Sequence, residues 1–180
     1  SGRRRPSIDV LNENNIKPIL LREKEGLALI NGTDGMLGML LLAITDLHEL
    51  CTLADIATAL SVESLLGTDQ VFAPEMHEPL RSHPGQVASA ANIFTLLKNS
   101  PLVASHRFDD TRVQDAYSLR CAPQVAGAVR DTLTHASNVA HRELAAMIDN
   151  PIVTKTGEIR SNGNFHGAPV GYVLDFLAIA

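Results

Sequence analysis

Gln114, Tyr117 and Arg120 stand three residues apart in Gln114-Asp115-Ala116-Tyr117-Ser118-Leu119-Arg120-Cys121-Ala122-Pro123-Gln124-Val125, a polar island in a region otherwise made of apolar helix. With three to four residues per turn, their side chains project from one face. An amide, a phenol and a guanidinium grouped in this way suit a small zwitterionic substrate. The arginine can clamp a carboxylate bidentately, the tyrosine can pass a proton, and the glutamine can fix an orientation. A solvated polar turn leading into a helix, with Tyr117 half buried, fits the same residues. Spacing alone leans to the turn.

Two more polar stretches interrupt apolar sequence, Asn31-Gly32-Thr33 and Asn164-Phe165-His166. Polar residues at the start of a buried helix either cap it or line a cavity. Asn31 and Thr33 read as an N-cap for the segment that follows, and Asn164 as a turn residue in left-handed geometry.

Other chemistries lack their residues. Gly32, Gly35 and Gly38 are spaced three apart, which is not the dinucleotide-binding fingerprint, and no regular βαβ alternation follows. Among the seven histidines, neither the pair His77 and His83 nor the pair His135 and His141 has the i, i+4 spacing of a helical zinc site. No metal site is expected. Gly-x-Ser-x-Gly is absent, so a nucleophile elbow is unsupported. Asp109-Asp110 reads as a solvated loop pair.

The elements that must position the polar stretches are mostly helices. Residues 1–17 read as an irregular lead-in, with one short amphipathic turn hinted at by Ile8, Val10, Leu11 and Ile16. Asp34 to about Leu66 is helical in pattern and apolar on all sides in its first half, which means burial against several neighbours. A membrane span competes, but Asp46, His48, Glu49 and Asp55 interrupt it before ~20 apolar residues accumulate. A core helix is the expectation. The sequence predicts a Pro- and His-rich loop over 72–85, a helix over 86–97 and a loose connection over 99–112. A long helix follows from Pro123 to Asp149, where Val125, Val129, Leu133, Ala136, Ala140, Leu144 and Met147 recur at four and three. Asn150-Pro151 ends it. A small hairpin over 152–159 and a polar loop at Asn162 to Gly167 precede a last helix from Val170 to Ala180. The fold class is all-α, built from long antiparallel helices of a multi-helix bundle core, with residues 1–180 read as one domain. The last helix breaks off in mid-pattern, so a larger, oligomeric protein is expected.

The totals agree. A hydrophobic share of 45% and a charged share of 19% are ordinary for a folded protein, and aromatics are only 4%. Abundant Ala and Leu favour packed helices over a β-sandwich. The net charge of −5 argues against nucleic acid as a partner. Cys51 and Cys121 follow no metal or redox spacing and read as buried free thiols of a reducing compartment. With no apolar h-region behind Arg3-Arg4-Arg5, a cytoplasmic protein is expected, with no membrane partner.

Four separated motifs together resemble a known family. Lys24-Glu25-Gly26-Leu27-Ala28-Leu29-Ile30-Asn31-Gly32-Thr33, Gln114 to Cys121, Asp149-Asn150-Pro151 and Gly163-Asn164-Phe165-His166-Gly167 occur in the order found in histidine ammonia-lyases. The wider family includes phenylalanine and tyrosine ammonia-lyases and aminomutases. The resemblance runs from about Pro18 to Ala180. His166 after Phe165 is closer to the histidine enzymes than to the plant and fungal phenylalanine enzymes, which tend to carry Gln there.

The resemblance implies a non-oxidative elimination, L-histidine to trans-urocanate and ammonia, as a step of histidine degradation by a homotetramer. It also implies a methylidene-imidazolone electrophile formed from an internal Ala-Ser-Gly. By analogy Arg120 holds the substrate carboxylate, and Asn31 hydrogen-bonds near the electrophile and the reacting amine. Tyr117 and Gln114 line the substrate and cofactor pocket, and Phe165 packs against the cofactor ring. The departure is that Ala-Ser-Gly occurs nowhere in residues 1–180. The chain then corresponds to the central portion of a much longer enzyme, and it is expected to be inactive by itself. Two alternatives stay open: a lyase or aminomutase for another aromatic amino acid, and a non-catalytic helical scaffold.

Overall fold

A helix of 31 residues, α3 (Asp34–Ser64), forms where the sequence is apolar and free of proline. Its hydroxyl side chains do not compete for outside partners. Thr45, Thr52, Thr58, Ser61 and Ser64 each donate to the carbonyl four residues earlier, so the helix absorbs its own polar groups. Leu66 takes a left-handed φ of 53°, and the Gly67 amide closes onto the Val62 carbonyl at 2.7 Å, which ends the helix. In this computed structural model residues 2–108 and 110–180 are described; Asp109, half of the expected loop pair, lies outside them.

The chain divides into two compact units, residues 1–32 and residues 33–180. The first holds α1 (Ser7–Glu13) and the single turn α2 (Glu25–Ala28). The expected irregular lead-in therefore contains a two-turn helix, supported by Arg5 forking onto Glu13 with Nη1–Oε2 at 2.8 Å.

The second unit is a helical bundle. Two short 3₁₀ turns, Gln70–Phe72 and Pro74–Met76, fill the region read as loop and lead to α4 (Pro84–Leu97). The connection over 99–112 is not structureless either: Ser100 caps α5 (Pro101–Ser105) by accepting from the Val103 amide at 3.2 Å. After α6 (Tyr117–Arg120), α7 (Ala122–Leu144) runs the length of the bundle, with Pro123 in its first turn. It stops five residues before Asp149. Asn150 is instead committed to the following loop, where its Oδ1 accepts from the Ser161 hydroxyl and the Asn162 amide. β1 (Ile152–Val153) and β2 (Ile159–Arg160) pair antiparallel, and α8 (Ala168–Ile179) completes the unit.

α3 packs on α4, α7 and α8, and α7 on α4 and α8. One core cluster joins Ala59, Val62, Phe72, Ile93, Leu97, Val103 and Leu119; the other joins Leu37, Leu40, Ala136, Ala140, Val170 and Val173. The expected helical class holds, with a minimal hairpin as the sheet. By length and composition α3 could cross a membrane, but here one side of it is core. Met39, Leu42, Leu50, Leu53 and Leu60 on its other side remain exposed. α4 and α7 cross where both lack a side chain: a Cβ on Gly127 would lie 2.3 Å from the Gln86 amide nitrogen. Asp131 of α7 accepts from the Gly85 amide at 2.8 Å and so caps α4 from a neighbouring helix.

Candidate active-site wall

Leu119 explains the geometry of the polar island. Ala116 is extended (φ −58°, ψ 151°) and starts a single helical turn in which Leu119 enters the core beside Val62 and Phe72. With Leu119 pointing in, Tyr117 and Arg120 point out. Arg120 donates from Nη2 to Gln114 Oε1 at 2.6 Å, and its guanidinium lies 4.8 Å from the centre of the Tyr117 ring, a cation–π distance. The three residues expected to share a face therefore touch. Tyr117 is 74% exposed, not half buried, and Arg120 is half-buried.

Asp115, to which the sequence assigned no role, anchors the approach. Its Oδ2 accepts from the Thr68 amide at 2.7 Å, just beyond the end of α3, and Arg112 Nη1 lies 3.5 Å from its Oδ1. Gln114 is thereby held against Arg120 by a buried neighbour. Arg112 also hydrogen-bonds Asp110 and holds that carboxyl below its ordinary range. Beneath Tyr117 an apolar groove of about 390 Å³ runs between α3 and α7, with Leu50 and Cys51 on one side and Val125 and Val129 on the other. Both cysteines are free, Cys51 buried and Cys121 half-buried, and burial pushes the Cys51 thiol up.

Phe165 belongs to the other end of the bundle. Its loop is pinned by Asn162, which donates from Nδ2 to the Asp149 carbonyl at 2.9 Å and accepts the Asn164 amide at 2.7 Å. Asn164 thus sits in a side-chain-closed turn and not in the left-handed region expected of it. Gly167 lets the loop sit on the start of α3, since a Cβ there would lie 2.4 Å from Met36 Cε and 2.9 Å from Thr33 Cγ2. Asn164 and His166 line a concavity with Glu143 and Met147 at the C-terminal end of α7, whereas Arg120 immediately precedes its N-terminal end. A 23-residue helix is about 34 Å long at 1.5 Å per residue. Phe165, 53% exposed, and Arg120 are thus roughly a helix length apart in one chain.

Asn31 lies in the first unit, exposed, its amide donating to the Leu27 carbonyl at 2.9 Å. Thr33 occupies the N-cap position of α3 but its hydroxyl makes no capping bond; it is buried without a partner.

A guanidinium over a phenol, with an amide orienting it, can bind and align a carboxylate and carry a proton. It supplies no electrophile. An ion pair that sequence reading passed over lies deeper. Asp55 of α3, 2% exposed, accepts from Ser89 Oγ at 2.5 Å and Asn92 Nδ2 at 2.8 Å on α4, and from Arg130 Nη2 at 2.5 Å on α7. The available signal was an acid at mid-helix in apolar sequence, which marks a paired charge.

Comparison with known proteins places this arrangement. The sequence matches the aromatic amino acid lyase family over residues 1–180. It is 64% identical over 179 residues to a histidine ammonia-lyase of Streptomyces avermitilis, covering 99% of this chain and 35% of that protein. It is 48% identical to a histidine ammonia-lyase of Anaeromyxobacter sp. strain K, covering 98% of this chain and 35% of the relative. The chain thus spans about a third of the length of the curated relatives it matches. Among solved structures, a tyrosine aminomutase from Streptomyces globisporus superposes with a TM-score of 0.86 at 42% identity, over 99% of this chain and 37% of that one. A phenylalanine ammonia-lyase from Rhodosporidium toruloides gives 0.80 at 34% identity, over 96% and 26%. The helical bundle with its outward-facing Gln114, Tyr117 and Arg120 belongs to the aromatic amino acid lyase family.

Proposed function

We propose that this chain is part of a histidine ammonia-lyase, a cytoplasmic homotetramer that converts L-histidine to trans-urocanate and ammonia. The observation that carries the reading is the 64% identity to a histidine ammonia-lyase over 99% of the chain, joined to an outward-facing Arg120 guanidinium held by Gln114 and stacked on Tyr117. In this reading the Arg120 guanidinium pairs with the substrate carboxylate, a charge-assisted contact that fixes the amino acid's orientation. Gln114 keeps the guanidinium from swinging away. Tyr117, exposed beside it, offers a phenol to the reacting end of the substrate.

The family's methylidene-imidazolone, where bound, would supply the electrophile that makes the substrate's nitrogen a better leaving group. Residues 1–180 contain no Ala-Ser-Gly from which to make it. Their donors fit a role facing it: exposed Phe165 can cover an aromatic ring, and Asn31 can hydrogen-bond a carbonyl. Arg120 and Phe165 stand at opposite ends of α7, so a pocket containing both draws them from different copies. The exposed leucines along α3 are then the surfaces on which copies pack, as expected of an obligate oligomer.

Turnover by the full-length protein tests the reading. Appearance of urocanate absorbance with L-histidine, and far slower reaction with L-tyrosine and L-phenylalanine, is the expected result. A preference for tyrosine, and formation of its β-isomer, would make the protein an aminomutase, the reading that the 42% identical neighbour favours. No turnover of any aromatic amino acid would leave a scaffold.

A further inference from the structure

The Asp115 side chain is 5% exposed, and both of its neighbours in the chain hold Arg120. On one side Gln114 Oε1 accepts from Arg120 Nη2 at 2.6 Å; on the other the Ala116 carbonyl accepts from the Arg120 amide at 3.1 Å. The carboxylate itself reaches the segment that closes α3. Its Oδ2 accepts from the Thr68 amide at 2.7 Å, and its Oδ1 lies 3.5 Å from Arg112 Nη1. That same Nη1 donates to the Leu65 carbonyl at 2.9 Å, so Arg112 ties the carboxylate to the helix end. Gly67 leaves room for the approach: a Cβ there would lie 3.1 Å from Asp115 Oδ2 and 3.2 Å from Val62 Cγ1. Arg107 Nη2 adds a further tie, donating to Asp69 Oδ2 at 2.9 Å. Arg107, Arg112 and Asp115 thus fasten to Asp69, Leu65 and Thr68, and the last of these ties sits between the two residues that hold Arg120.

We infer that Asp115 is a positioning residue for substrate binding: docked on the Thr68 amide, it sets where Gln114 and Ala116 place the Arg120 guanidinium. This rests on the reading of Arg120 as the carboxylate clamp. The end of α3 is a firm reference, because the Gly67 amide closes onto the carbonyl of Val62, whose side chain is fully buried. A buried carboxylate stays buried only while its partners satisfy it, so Asp115 has one place to sit. Asp55, also buried, spends its oxygens on Ser89, Asn92 and Arg130 and reaches no member of the triad. Asp115 differs because its flanking residues carry its position to Arg120 through one amide and one backbone hydrogen bond. Without the docking, residues 114–116 shift as a unit and the substrate carboxylate meets a displaced cation. Small displacements of a positioning group are enough to weaken a grip of this kind.

The test is a double-mutant cycle in full-length enzyme with L-histidine, each variant assayed as an intact oligomer below its melting temperature. Asp115→Ala removes both contacts of the carboxylate. Asp115→Asn keeps a carbonyl for the Thr68 amide but turns an NH2 donor toward Arg112. Asp115→Ala is expected to raise KM about tenfold and Asp115→Asn about threefold, with kcat within about twofold, since a grip made equally in ground and transition state is weakened. In an Arg120→Ala background neither change should lower kcat/KM by more than about twofold, because the residue through which Asp115 acts is gone. A carboxylate with a merely structural role costs the same factor in both backgrounds, and that result overturns the inference. An unmoved KM in Asp115→Ala overturns it too, whether or not kcat falls. If Asp115→Ala fails to assemble, Asp115→Asn decides alone: a rise in KM that disappears with Arg120→Ala supports the proposal, and a rise that persists, or none, counts against it. Failure of the underlying reading looks different, because then wild-type enzyme leaves L-histidine untouched or Arg120→Ala alone leaves KM unchanged.

Discussion

Arg130 on α7 donates from a single nitrogen, Nη2, to Asp55 Oδ2 at 2.5 Å and to the Cys51 carbonyl at 2.8 Å, both on α3. With Ser89 and Asn92 of α4 on the same carboxylate, three helices meet at one buried anion. Breaking such a pair from one side strands the other charge, which costs about 3–5 kcal/mol. Asp55→Ala is therefore expected to lower unfolding free energy by that amount in urea titrations. Asp55→Leu combined with Arg130→Met should cost less than the sum of the two single changes, because neither charge is left unpaired. Simple additivity would mean that the pair is not coupled.

Gly127 predicts a different kind of damage. A Cβ there would lie 2.3 Å from the Gln86 nitrogen and 2.4 Å from its Cα, and these are backbone atoms that cannot rotate aside. Gly127→Ala must push α4 off α7, at or above the usual ~1–3 kcal/mol of core overpacking, despite the better helix propensity of alanine. The expected readout is a lowered melting temperature. A stabilised protein would show that the helices have room to part.

These two residues also mark what was legible in the sequence. Helix periodicity announced α3, α4, α7 and α8, because apolar recurrence follows directly from which face is buried. It could not announce that Gly127 faces Gly85, since the requirement is set by a partner 42 positions away in sequence. Asp55 was visible only as an interruption of an apolar run; its meaning depends on Arg130, 75 residues on. The triad of Gln114, Tyr117 and Arg120 was legible as a shared face because its contacts are local. Phe165 was legible as a motif but not as a position, and its place at the opposite end of α7 from Arg120 follows from tertiary packing alone.

Arg120 predicts a kinetic signature. If its fork grips the substrate carboxylate, Arg120→Ala in the full-length enzyme removes about 2–5 kcal/mol by analogy with buried charged pairs, roughly 30- to 5,000-fold in kcat/KM at 1.36 kcal/mol per tenfold. Arg120→Lys keeps the charge but loses the planar fork, so it should recover only part of that loss. Steady-state rates of urocanate formation measure both. Full activity in Arg120→Lys would mean that charge suffices and the bidentate geometry is idle.

The distance between Arg120 and Phe165 sets up a complementation experiment. With α7 about 34 Å long, one chain presents Arg120 at one end and Phe165 at the other, so a pocket of the proposed homotetramer that contains both takes them from two copies. Full-length Arg120→Ala and Phe165→Ala are each expected to be nearly inactive as homo-oligomers. Co-expressed, they form mixed oligomers in which some pockets receive an intact Arg120 from one copy and an intact Phe165 from another. Random association puts both intact residues in about a quarter of pockets, by the symmetry of a closed homo-oligomer. Urocanate formation by the purified mixture should rise toward that fraction of wild type. If a pocket instead took both residues from one copy, every pocket would carry one defect and mixing would restore nothing.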